Sequence, residues 1–242
     1  MRRLGLRSAS LPLALVLATT MLAAPASPSA TPVALAATAP RLPACSVGDV
    51  ITPRTAYAAY RSVILDPRLA LPRSYSPPDL VSTGLAGLNR DQRVRLVVIP
   101  DLRAMAVAAR KAGVKLLVDS GYRSYADQAV LYRYYVKRLG VANARLRVAR
   151  PGHSEHQLGT AIDLALKPGA YRWARGNSWR FGWILSYPYG QTSVSCYQSE
   201  PWHLRYVGRT MAAAVHASQL VLRAWLWLHV PAARRLSYPG HR

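Results

Sequence analysis

The stretch Ala161-Ile162-Asp163-Leu164-Ala165-Leu166 sets a hard condition on any fold this chain adopts. It is a short apolar run with the make-up of a strand entering a core, and a carboxylate sits in its middle. A buried ionised carboxylate without a partner is too costly to keep, so the fold must bring a cation or strong donors to Asp163. Acids are scarce enough to make the search short. The 242 residues hold 10 Asp+Glu against 32 Lys+Arg, a net charge of +22, and the only glutamates are Glu155 and Glu200.

Both glutamates and half of the six histidines fall near two short segments. One is Gly152-His153-Ser154-Glu155-His156-Gln157-Leu158-Gly159-Thr160-Ala161-Ile162-Asp163; the other is Glu200-Pro201-Trp202-His203. His156, Asp163 and His203 form a set of two imidazoles and a carboxylate, which suits zinc and leaves a fourth position for water. Glu200, three residues before His203, is placed to act as a general base toward that water. Spacing alone does not choose between His153 and His156 as the ligand, and a single histidine is more often an ordinary hydrogen-bonded residue. All six tryptophans follow residue 172. Trp179 and Trp183, at helical spacing, read as core, and only Trp202 is placed beside a substrate.

Three segments carry a more specific likeness. They are Ser120-Gly121-Tyr122-Arg123-Ser124-Tyr125-x-x-Gln128, then Ser154-x-His156-x-x-Gly159-x-Ala161-x-Asp163, then Glu200-Pro201-Trp202-His203. In this order they resemble the VanY-type zinc D-alanyl-D-alanine carboxypeptidases. Flanking text at Ser74–Val81, Phe181–Pro188 and Arg205–Gly208 agrees, so the likeness covers about residues 73–228. It implies the α+β fold shared with hedgehog-type domains: a small, mostly antiparallel sheet with helices packed around it and the zinc site on the sheet. It also implies zinc ligands His156, Asp163 and His203, a base at Glu200, and an oxyanion-stabilising Arg123. Ser154 and Gln128 match positions that bind the substrate's terminal residue, and His153 and Glu155 become rim residues. The implied reaction is hydrolysis of the terminal D-Ala-D-Ala bond of peptidoglycan stem peptides, with metal-bound water activated by Glu200. A sibling activity with the same zinc set stays open: L,D-carboxypeptidase, D,D-dipeptidase or endopeptidase. A serine D-Ala-D-Ala carboxypeptidase is excluded, since no lysine has a serine three positions before it.

The rest of the chain is organised around that core. Arg2, Arg3 and Arg7 precede an apolar run from Leu11 to Ala24, too short to span a bilayer and followed by small-residue sites. We therefore expect a signal peptide, or an N-terminal anchor, over 1–36, an extension over 37–72, the zinc domain over 73–228 and a tail over 229–242. The implied location is secreted or cell-envelope associated. In that setting Cys45 and Cys196 favour one disulfide. Helices are expected at Thr55–Leu65, Leu102–Ala112 with Asp101 as N-cap, Tyr125–Leu139, Tyr171–Leu185 and Gly208–Leu228, with a strand at Val114–Asp119. No three bases are adjacent anywhere, which excludes the block-charged tails of nucleic-acid binders. The charge points instead to anionic stem peptides and anionic cell-wall polymers. No stable protein partner is implied.

Overall fold

The apolar segments of the chain form an α+β fold around a four-stranded antiparallel sheet. The structure, a computed structural model, describes residues 40–52 and 57–231. The expected signal segment, the beginning of the Thr55–Leu65 helix and the last eleven residues lie outside the described residues. The described residues all belong to one compact unit, so residues 40–52 and 57–72 pack with the region that carries the motifs.

In chain order, β1 (Val50–Ile51) pairs in parallel with β2 (Leu69–Ala70), and β3 (Leu80–Ser82) pairs antiparallel with β4 (Arg93–Arg95). Next come α1 (Ile99–Lys111), β5 (Val118–Ser120), α2 (Tyr125–Arg147), β6 (Ala161–Leu164), α3 (Ala170–Asn177) and β7 (Trp183–Leu185). The chain continues with α4 (Thr192–Ser195), β8 (His203–Tyr206), α5 (Arg209–Ser218) and α6 (Leu222–His229). The main sheet runs β5-β6-β8-β7, every pair antiparallel.

Strand alternation divides this sheet by chemistry. Ile162, Leu164, Leu204 and Tyr206 point to one face, where they join Trp183 and the α1 stripe Leu102, Met105 and Ala109 in the largest core cluster. That stripe follows the i, i+3, i+7 rule for a helix packing one face. Asp163, His203 and Arg205 point to the other face. Register then fixes the site, because Asp163 lies directly opposite both His203 and Ser120.

Several expected boundaries moved, each for a local reason. Asp101 is not the N-cap of α1: Val98 holds that position, and Asp101 lies in the first turn, accepting from Tyr206 Oη and Arg209 Nε at 2.7 Å each. The strand expected at 114–119 forms only at Val118–Ser120. The expected stop at Gly140 holds, since φ 74° and ψ 161° there are not helical, and what is added is a second helical segment that carries α2 on to Arg147. The expected helix 171–185 breaks into α3, a 3-10 turn at Ser178–Phe181 and strand β7, because Gly182 takes φ +84° and the apolar Trp183–Leu185 then pairs with β8. The expected helix 208–228 is two helices, parted where Gln219 turns left-handed at φ 56°.

The segment before residue 73 is tied to the motif loops. Cys45 and Cys196 form a disulfide, with Cα atoms 5.3 Å apart. Arg150 bonds Asp49 Oδ1 at 2.9 Å and the Pro67 carbonyl at 2.9 Å, and Leu71 N–H donates to the Gly152 carbonyl. Buried Arg223 joins Asp66 at 2.8 Å to the Pro43 carbonyl at 3.0 Å. Among the described residues, no helix is long and apolar enough to cross a membrane.

Candidate active site

Asp163, His203 and His156 converge at one point. Asp163 and His203 face each other across β6 and β8, and His156 arrives on a 3-10 turn at Glu155–Leu158. That turn starts because Ser154 Oγ accepts from the His156 N–H, and it stops because Gly159 adopts φ 69°. His156 Nε2 is 3.1 Å from Asp163 Oδ2, and His203 Nδ1 is 3.0 Å from Asp163 Oδ1. The three donor atoms all lie within 4.8 Å of one another.

The surrounding shell orients each ring. The Gly121 carbonyl, 2.6 Å from His156 Nδ1, can only accept, so Nδ1 carries the proton and Nε2 offers its lone pair to the centre. Glu155 Oε2 does the same for His203 Nε2 at 3.0 Å, turning Nδ1 inward. Glu155 is itself held by Arg205 at 2.7 Å and by Ser186 Oγ at 2.6 Å. Burial alone would raise the Glu155 carboxyl, but the Arg205 guanidinium and the His203 and Ser186 hydrogen bonds bring it down to about 2. Burial likewise works against Asp163, yet His156 and His203 hold it well below the usual carboxylate range. His203, buried between Asp163 and Glu155, is pushed up to about 10 despite desolvation. The centre is therefore built to keep a cation. Two imidazoles and an ionised carboxylate with oriented outer partners fit Zn²⁺ on donor chemistry alone.

Glu200 stands beside this set, its Oε2 3.6 Å from His203 Nδ1. Its backbone is anchored through N–H to the Tyr187 carbonyl. Burial pushes its carboxyl up to about 7. Arg123 reaches in from the β5–α2 turn. One of its nitrogens donates to Gln128 Oε1 at 2.8 Å and another to Ser120 Oγ at 2.7 Å, and the latter lies 3.6 Å from Asp163. These groups line a cavity of ≈ 580 Å³.

Of the residues expected at the site, His156, Asp163, His203, Glu200, Arg123, Ser154, Gln128 and Trp202 all line that cavity. Gln128 is buried and committed at both ends, its amide nitrogen donating to the Ala149 carbonyl at 2.6 Å while its oxygen steadies Arg123. Two expectations change. His153 is not a rim residue; it is fully buried, bonded to the Asp66 carbonyl at 2.7 Å and Asp49 at 3.1 Å, so the choice of ligand falls on His156. Glu155 lies beneath His203 and not on the rim. Cys196, being in the disulfide, is not a ligand. The sequence reading missed Arg205, Ser186, Ser120 and the Gly121 carbonyl. Arg205 had a signal, since two residues past His203 on a strand is the same face.

Residues 91–209 match the family described as VanY, D-alanyl-D-alanine carboxypeptidase. A D-alanyl-D-alanine carboxypeptidase of Enterococcus faecalis is 35% identical over 157 residues, 59% of this chain and 59% of its own. The YodJ protein of Bacillus subtilis is 32% identical over 178 residues, 67% of this chain and 65% of its own. The chain thus spans less than two thirds of the length of these relatives. A VanY D,D-pentapeptidase variant from a VanB-type vancomycin resistance cassette, solved with Zn(II), aligns with a TM-score of 0.63 at 31% identity. That alignment covers 69% of this chain and 99% of the other. The LdcB LD-carboxypeptidase aligns with a TM-score of 0.60 at 32% identity, over 68% of this chain and 85% of its own.

Proposed function

The chain belongs to the VanY family of D-alanyl-D-alanine carboxypeptidases, and on that premise we propose that it hydrolyses the terminal D-Ala-D-Ala bond of peptidoglycan stem peptides with Zn²⁺ as cofactor. One observation carries this reading: three convergent ligand atoms within 4.8 Å, with Glu200 and a fixed Arg123 on the same cavity wall. Zn²⁺ held by His156 Nε2, Asp163 and His203 Nδ1 supplies Lewis acidity toward the scissile carbonyl and makes water more acidic.

The protein's own groups do the rest. Glu200, with a carboxyl pushed up to about 7 by burial, takes the proton from the attacking water and returns it to the leaving amine. Arg123, held by Gln128 and Ser120, presents its guanidinium to the developing oxyanion. Ser154 Oγ accepts from His156 N–H, so its own hydroxyl hydrogen serves the substrate's terminal carboxylate. Gln128 acts by fixing Arg123. Trp202 closes the cavity edge over the peptide.

Action outside the cytoplasm is supported by the Cys45–Cys196 disulfide and by the basic-then-apolar segment ahead of Ala24. The excess of positive charge favours carboxylate-bearing peptides and anionic wall polymers. The test is D-Ala release from a panel of pentapeptide, tetrapeptide and D-Ala-D-Ala dipeptide. We expect release from the pentapeptide, lost to a chelator and restored by zinc. Glu200→Ala should lower kcat by about 10²–10⁴-fold, the usual contribution of a general base. Release from the tetrapeptide alone would overturn D,D-specificity in favour of an L,D-carboxypeptidase.

A further inference from the structure

All ten acidic side chains lie among the described residues, and nine of them have a hydrogen-bond or ion-pair partner. Asp119 has none among the described residues, although bases outnumber acids three to one. It is exposed, sits on β5 next to Ser120, and lines the catalytic cavity. The other three carboxylates of that cavity are engaged at the metal centre: Glu155 with Arg205 and His203, Asp163 with both imidazoles, and Glu200 beside His203. Exposed apolar groups line the same cavity, and Tyr171 is near enough to Asp119 to feel its charge. Leu166 is 79% exposed and Trp202 36% exposed, with Tyr171 tilted against Trp202 at 6.3 Å.

An unpartnered carboxylate beside exposed aliphatic and aromatic surface is a receptor for a cation on an aliphatic stem. The head group meets the carboxylate, while the methylenes cover the apolar groups and the rings favour positive charge over their faces. We propose that Asp119 determines specificity by binding a primary ammonium on an aliphatic side chain of the peptide, on the acyl side of the cleaved bond. This rests on the proposed function, since the departing D-Ala has no cationic side chain and the cation must belong to the part of the peptide that stays. In a cavity also lined by Arg123 and Arg147, Asp119 offsets the repulsion a cationic substrate would meet.

The experiment uses two peptides ending in D-Ala-D-Ala, identical except that the preceding residue carries either a free or an acetylated side-chain amine. With the zinc-loaded protein at low salt, kcat/KM should favour the free amine by about 3- to 5-fold, the range of a solvent-accessible ion pair. The ratio should fall toward one in Asp119→Asn, persist in Asp119→Glu, and shrink as salt is added. Calorimetric binding of both peptides to the Glu200→Gln protein should give the same ratio without turnover. A ratio near one in the unmodified protein, or one that survives Asp119→Asn, would overturn the role of Asp119 and leave the peptidase activity standing. If neither peptide is cut, the proposed function fails, and the calorimetric ratio still decides Asp119.

Discussion

At the scale of single residues, the site depends on which atom of each side chain is already occupied. Arg123 is useful because Gln128 and Ser120 hold two of its nitrogens at 2.8 and 2.7 Å, so its position is set before a substrate arrives. Arg123→Ala should lower kcat by about 10²-fold or more, the scale of losing one oxyanion donor, with zinc content unchanged. Steady-state kinetics alongside metal analysis checks both halves. Glu155 supports a pH prediction for the metal-free protein. Its carboxyl is held at about 2 in the fold against 4.5 as its ordinary value, because Arg205, His203 and Ser186 outweigh the cost of its burial. A depressed carboxylate contributes stability that is present above the unfolded value and is lost as pH falls through the folded one. The chelated protein should therefore melt at progressively lower temperature between about pH 4.5 and 2. Calorimetric Tm values with no fall across that window would remove Glu155 as a contributor.

Elements matter here through the register and approach they impose. The β6–β8 pairing sets Asp163 against His203, and the β5 pairing sets Ser120 against Asp163. A one-residue slip would turn the ligand face into the core. Gly121, at the end of β5, has a separate task. A Cβ there would lie 2.3 Å from the Arg93 carbonyl oxygen on β4, a backbone atom that has no side-chain freedom with which to yield. The Gly121 carbonyl is also the acceptor that fixes His156 Nδ1. Gly121→Ala should displace that carbonyl and weaken zinc binding by about 10- to 100-fold, as loss of an outer-shell partner does. Competition with a chromogenic chelator measures this, and an unaltered zinc affinity would mean that the backbone there moves without cost to His156. Core packing on the opposite face is a distinct term. Leu102, fully buried in α1, should cost about 2–5 kcal/mol when cut to alanine, read by denaturant unfolding.

Over the whole molecule, the stretch made of residues 40–52 and 57–72 works as a strap on the back of the catalytic loops. The disulfide joins residues 151 apart in sequence, and Arg150, His153 and Arg223 clamp the same stretch by hydrogen bonds. Cys45→Ser with Cys196→Ser should lower stability by about 2–5 kcal/mol, the usual cost of removing a native disulfide. A thermal melt of the metal-loaded variant against the parent checks it, and an equal Tm would show that the hydrogen bonds suffice alone. The sequence by itself pointed to Asp163, His203 and Glu200, because zinc chemistry needs particular residue types and the chain is so poor in acid that few other assignments exist, while Arg123 came only from the resemblance to the VanY-type enzymes. It also determined the α+β class and the cysteine pairing, through apolar periodicity and the presence of only two cysteines. Residue spacing left His153 and His156 open and the resemblance favoured His156; only the tertiary structure showed the physical reason, which is that the His156 ring faces Asp163 while the His153 ring turns away to the Asp66 carbonyl. It also moved Glu155 from the rim to beneath His203 and recruited Arg205, Ser186 and the Gly121 carbonyl. Those contacts join residues 31 to 50 positions apart, and strand pairing, which local sequence pattern does not encode, brings them together. The breaks at Gly182 and Gln219 were hidden for a related reason: helical periodicity continues through them, and pairing with β8 and packing of two separate helices override it.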